Sequence, residues 1–233
     1  SLGFVAISTL ENPMKKLLLT FAILLMVSPA AAQLVITGVF DGPLPTGSPK
    51  GVELFACSDI ADLSVYGIGS ANNGGGTDGV EHVFAPDFIA AGTTFYITHV
   101  DGNNPTAFFD FFGFEADYVG DGYSMAINGD DAVELFYIGG AEPVVVDIFG
   151  DIDVDGNGTP WEYMDSWAKR TTSTGPDGST FVLENWTFGG VNMWDPALTN
   201  ADSDVPFVLG GFACDETVAT EDVNWDSLKS LYR

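Results

Sequence analysis

From Gln33 onward, short runs rich in Val, Ile, Phe and Tyr alternate with clusters of Gly, Asn, Asp and Pro. Apolar residues that recur every second position form one face of a pleated strand, and Gly, Asn, Asp and Pro mark the turns between strands. This pattern predicts strands over residues 34–40, 52–56, 63–68, 94–100, 132–137 and 144–149. Within 94–100, Phe95, Ile97 and His99 share one face. The strand at 132–137 follows Asn128-Gly129-Asp130-Asp131, a tight-turn signal. The run at 144–149 is the most apolar and is expected at the centre of a sheet. Residues 72–79 are too rich in glycine for anything but loop. Residues 160–165 are expected to form a turn or two, with Thr159 and Glu162 at capping-box spacing.

Between residues 33 and 212 no apolar run has the length and period of a major helix. The expected class is therefore all-β, an antiparallel β-sandwich built from residues 33–170. Residues 171–212 are turn-rich yet carry Trp186, Phe188 and Trp194. Rings of that size need cover, so this segment is expected to wrap back on the sandwich.

The two ends have their own signatures. Met14-Lys15-Lys16, an apolar stretch over residues 17–27 and the small-residue end Ala30-Ala31-Ala32 form a secretory signal pattern. Cleavage after Ala32 would make Gln33 the first mature residue and deliver the protein outside the cytoplasm, secreted or at the cell surface. Residues 1–13 precede the expected start methionine. Residues 213–222 are an acidic spacer. After it Trp225, Leu228 and Leu231 recur at three-residue spacing, with Lys229 and Arg233 near the end, as in a short amphipathic helix. Residues 213–233 thus read as a spacer and C-terminal tag, of the kind a sorting system recognises. No second long apolar stretch follows the signal, so the mature chain is not expected to span a membrane.

Charge and cysteine content narrow the function classes. Seven basic residues face 33 acidic ones, a formal net charge of −26. Proteins hold phosphate backbones through Lys and Arg, so direct nucleic-acid binding is not expected. Such a surface favours divalent cations and solubility instead. Cys57 and Cys214 are the two cysteines. In an oxidising compartment they are expected either to pair or to stand as two buried thiols.

Several segments, in order, resemble a known family. These are Leu34-Val-Ile-Thr-Gly-Val39, Gly51-Val-Glu53-Leu-Phe55, Ile60-Ala-Asp62-Leu-Ser64, Asn128-Gly-Asp-Asp-Ala-Val133-Glu-Leu135 and Val146-Asp147-Ile-Phe-Gly150. Asp155-Gly156, Trp161 and Trp167-Ala-Lys-Arg170 continue the likeness, which covers about residues 34–170. Together they resemble the bacterial lamin-tail-like domain, in the form attached to secreted bacterial nucleases. The resemblance implies an immunoglobulin-like β-sandwich and a non-catalytic role, because in those nucleases a separate domain carries the chemistry. An extracellular binding or structural module with an unidentified protein or surface partner is the expected function. A secreted metal-dependent phosphoesterase, or its accessory subunit, is the alternative.

One motif points to chemistry. Asp151, Asp153 and Asp155 alternate, Gly156 follows, and Glu162 closes the twelfth position. That is the linear pattern of a calcium loop, in which alternating carboxylates wrap a hard cation. Carboxylates of Asp151, Asp153 and Asp155, the Asn157 carbonyl and two oxygens of Glu162 are the expected ligands, and Ca2+ the expected ion. A solvated acidic turn leading into buried Trp161 is the simpler reading.

Other candidates are weaker. His82 and His99 lie near Glu81, Asp78 and Asp101, but a zinc site or triad needs convergence that spacing does not give. Glu53 and Glu134 sit in Val-Glu-Leu runs and are expected to face solvent. Phe108, Phe109, Phe111, Phe112 and Phe114 are expected either to split between two strand faces or to be buried by a short helix. No catalytic residue is assigned.

Overall fold

A computed structural model of the chain describes residues 33–215. The expected signal segment and its cleavage point after Ala32, and the expected terminal helix beyond residue 215, lie outside the described residues.

The strands are β1 (Leu34–Leu44), β2 (Ser48–Ala56), β3 (Tyr66–Ala71), β4 (His82–Val83), β5 (Thr94–His99), β6 (Tyr118–Val119), β7 (Ala132–Tyr137), β8 (Val144–Phe149), β9 (Ser166–Arg170) and β10 (Trp186–Phe188). Among the described residues one α-helix, α1 (Ala107–Phe112), precedes β6. Six strands form one sheet in the order β10-β9-β1-β2-β5-β6, and four form the other in the order β4-β3-β7-β8. All pairs are antiparallel except β5 with β6. The chain is an all-β sandwich, as the alternation requires.

The two sheets bury Leu34, Ile36, Leu54, Ile68, Val133, Leu135, Phe149 and Trp161 between them. A second apolar cluster of Phe40, Tyr96, Phe108, Phe111, Trp194 and Phe207 covers the opposite face of the six-stranded sheet. That second layer explains β2. Val52 and Leu54 point into the sandwich, so Glu53 must point to the other face. An outer face is usually wet, but here α1 and the extension after Arg170 lie over it. Glu53 is fully buried, not solvent-facing as expected, and Glu134 on β7 is buried too.

The expected wrapping of residues 171–212 is visible in the packing. Trp186 joins the inner core, and Trp194 and Phe207 complete the outer cluster. Gly38 makes room for this: a Cβ there would lie 2.4 Å from the Phe207 ring. The phenylalanine run folds as α1, burying Phe108 and Phe111 while Phe109 stays exposed, so the helical alternative holds and the strand alternation does not.

Three local expectations need correction. The strand expected over 63–68 begins instead with a 3-10 turn at Leu63–Val65, because Asp62 accepts the Ser64 amide at 3.0 Å and draws the backbone into a turn. β8 is an edge strand, not a central one. Its apolar residues are covered by the extension: the Gly178 amide donates to the Val146 carbonyl at 3.2 Å, and Phe181 packs on Phe149 with ring centroids 5.4 Å apart. Residues 160–165 do form turns, but Glu162 accepts the Gly158 amide, so the expected capping at Thr159 is not made.

Cys57 and Cys214 form a disulfide with Cα atoms 5.7 Å apart, which staples the end of the extension to the end of β2. Among the described residues no helix is long and apolar enough to cross a membrane.

Candidate functional site

Three loops meet where the calcium-like motif lies, and backbone contacts bring them together. The Gly76 amide donates to the Ile152 carbonyl at 2.9 Å, and the Gly156 amide to the Asp130 carbonyl at 3.0 Å. Buried Asp131 ties the rest: its two oxygens accept the amides of Asn73 at 2.9 Å and Asn128 at 2.8 Å. The glycine-rich stretch is what allows the approach. Gly74 has φ +69°, and a Cβ there would lie 2.4 Å from the Asp155 nitrogen. Gly156 likewise leaves space for the Asp130 carbonyl and the Trp161 ring. The result is an acidic rim formed by residues 72–76, 128–131 and 150–162.

The five expected ligands do not converge on that rim. Asp151 accepts the Asp153 amide at 3.0 Å, Asp155 accepts the Asn157 amide at 2.9 Å, and Glu162 accepts the Gly158 amide at 2.7 Å. Asp151, Asp155 and Glu162 thus each close a small turn of their own, and Asp151, Asp153, Asp155 and Asn157 are exposed. Among the described residues no group of three or more His, Cys, Asp and Glu side chains is placed to hold a metal ion.

The histidines flank one turn from two sides. His82 is buried, with Nδ1 3.0 Å from Asp121 Oδ2. His99 stacks on Tyr123 at 5.7 Å, and burial lowers its pKa while Asp101 pulls it upward. Both cysteines are in the disulfide, so neither is a thiol nucleophile. Glu53 and Glu134 belong to different sheets and do not form a catalytic carboxylate pair on one surface.

The sequence reading missed a set of buried ionic cross-links. Glu53 receives the Thr37 hydroxyl at 2.6 Å, the Tyr96 hydroxyl at 2.8 Å, the Gly210 amide at 2.8 Å and the Lys169 ammonium. Arg170 spans the sandwich: it donates to both oxygens of Asp147 at 2.7 and 2.8 Å, to Asp177 at 2.6 Å and to the Ile36 carbonyl at 2.6 Å. Lys50 pairs with Asp41. A signal for these was available. Lys50, Lys169 and Arg170 are the only cations between residues 33 and 215, set against a large excess of carboxylates that could pair with them. All three side chains are almost wholly inside, so the described surface is left with one sign of charge.

Burial also sets a pH dependence. It raises the Asp41 pKa from 3.8 to about 6, although Lys50 pulls it down. Burial likewise raises Asp130, Asp131, Glu134 and Asp165. A carboxyl whose pKa is higher folded than unfolded binds its proton more tightly in the folded state. Its contribution to stability is complete below the unfolded value and is lost as pH rises through the folded one. Relief of negative self-repulsion acts in the same sense. The melting temperature is therefore expected to be higher at pH 5 than at pH 8. Calorimetric scans at both values check this, and a lower melting point at pH 5 contradicts it.

Compared with known proteins, the chain matches no family model, no curated protein and no solved structure.

Proposed function

We propose that this protein is an exported, non-catalytic module of lamin-tail-like type that presents a rigid β-sandwich to a protein or surface partner outside the cytoplasm. The observation that carries the reading is how its reactive groups are used. The cysteines are joined, the three described cations are paired inward, and the buried carboxylates accept backbone and side-chain donors that hold the extension to the sheets. A disulfide belongs to an oxidising compartment, which supports export. The wholly acidic surface supports a partner other than nucleic acid.

Calcium enters this proposal as a stabiliser of the rim at Asp151, Asp153, Asp155, Asn157 and Glu162. The linear spacing supports it, and the separate local turns of those carboxylates oppose it. Calorimetry on chelated protein tests that part: no heat and no stabilisation at millimolar calcium reject it. The non-catalytic reading is tested on DNA and on a phosphate ester with calcium or magnesium present. No turnover is expected. Turnover that disappears in Asp153→Ala would instead establish the secreted phosphoesterase.

A further inference from the structure

Two of the three described cations are lysines sealed against carboxylates, and the two pairs are not alike. Lys169 stands over the Phe207 ring at 4.7 Å, and Glu53 has three donors besides the ammonium. Those donors occupy both Glu53 oxygens and hold the carboxylate in place.

The Lys50–Asp41 pair lacks those supports. The two residues are register partners on β1 and β2, so their side chains stand side by side on one face. Their side chains are 9% and 5% exposed, and Lys50 Nζ lies 2.5 Å from Asp41 Oδ1. That oxygen is the one side-chain acceptor of the Lys50 ammonium among the described residues. An ammonium has three N–H groups, so two are left without such a partner in a water-poor place. On the carboxyl side Asp41 gains only the Asp165 amide, at 3.3 Å. Asp165 also brings a third carboxyl, whose charge acts on Asp41 and is itself felt by Lys50.

We infer that Lys50 and Asp41 condense to an amide, a covalent rung between β1 and β2 that closes a ring over residues 41–50. The step balances without any co-reactant. Lys50 first passes a proton to Asp41 along their hydrogen bond, leaving a neutral amine beside a carboxylic acid. Burial raises the Asp41 pKa to about 6, which lowers the cost of that transfer. The amine lone pair attacks Asp41 Cγ, the C–N bond forms, and the carbonyl electron pair moves onto oxygen. The Asp165 carboxylate takes the surplus proton from nitrogen and returns it to the departing hydroxyl. The C–O bond breaks, the carbonyl reforms, and one water leaves. Nothing is oxidised or reduced. Fixed neighbours supply the proximity that a bimolecular amide synthesis lacks, and exclusion of water from the site slows the reverse hydrolysis.

Mass spectrometry of the full chain, purified from the expressing cell, reduced and denatured, tests this. The dominant species is expected to be lighter than its sequence by one water. Trypsin is expected not to cut after Lys50, and fragment spectra should join Lys50 to Asp41. Lys50→Ala and Asp41→Ala should each restore the full mass, Asp165→Asn should accumulate the unlinked form, and Lys169→Ala should keep the water loss. Wild-type protein at full mass, cut normally after Lys50, overturns the inference without recourse to any variant. Water loss that persists in Lys50→Ala also overturns it, because Asp41-Gly42 would then be closing on itself as a succinimide.

Discussion

Replacing Asp147 by alanine is expected to lower the stability of the sandwich by about 3–5 kcal/mol, a large part of what holds a domain of this size folded. Asp147 is fully buried on β8 and Arg170 is fully buried on β9, so their contact crosses from one sheet to the other. The carboxylate also accepts the Ile36 amide at 2.8 Å and the Asp177 amide at 3.0 Å. Its loss leaves two amides and a guanidinium without their acceptor. Arg170 cannot shed its proton and cannot reach water. It keeps Asp177, the Ile36 carbonyl and the face of Trp186, 4.5 Å away, which is too little to replace a bidentate carboxylate. Asp147→Asn preserves shape and part of the bonding, and should cost less than alanine. Urea unfolding checks both. A loss below about 1 kcal/mol for Asp147→Ala, with unchanged denaturant slope, would show that the pair is a bystander.

The second large effect concerns the staple. Exchanging Cys57 and Cys214 together for serine is expected to cost about 5 kcal/mol in the chain-entropy account of disulfides. The bridge spans 157 residues, nearly the whole described chain, so its removal frees almost all the conformations available to the unfolded state. Its second effect is local. Phe212 packs on Phe55 with ring centroids 5.3 Å apart, and together with Val35 they form a small satellite cluster beside the bridge. Without the bridge that cluster, the Gly210 amide on Glu53 and the hydrogen bonds between Ala213 and residues 172–173 must hold the end of the extension. Amide exchange over residues 207–215 should quicken ahead of exchange in β1, β2 and β7. Equal melting temperatures with and without reductant would sink this expectation.

These two effects show what could and could not be read from the chain. The strands at 132–137 and 144–149 appear where the alternation puts them, because six consecutive residues suffice to display a two-residue period. β9 was not among the predicted strands, yet it carries Ser166 and Arg170, both buried. The partners of Arg170, Asp147 and Asp177, lie 23 and 7 residues away, and spacing alone does not nominate them. The rim shows the same limit. Asp151, Asp153 and Asp155 sit at the separations an ion needs, but whether their oxygens aim inward depends on loop torsions. In this fold an oxygen of Asp151 and one of Asp155 turn to neighbouring amides. The cysteines stood between two outcomes until the extension brought Cys214 back to the end of β2.

Local order was therefore legible in the amino acids: the all-β class, most strand positions, the acidic surface, and the return of the aromatic extension to the body of the protein. Which sheet face stays wet was not. Pleating assigns Glu53 to the face opposite Val52 and Leu54, but only the arrival of Phe207 and Gly210, more than 150 positions later, seals that face and converts an ordinary strand glutamate into the centre of a buried network. Period is a property of adjacent residues, whereas burial is a property of whatever the rest of the chain lays on top.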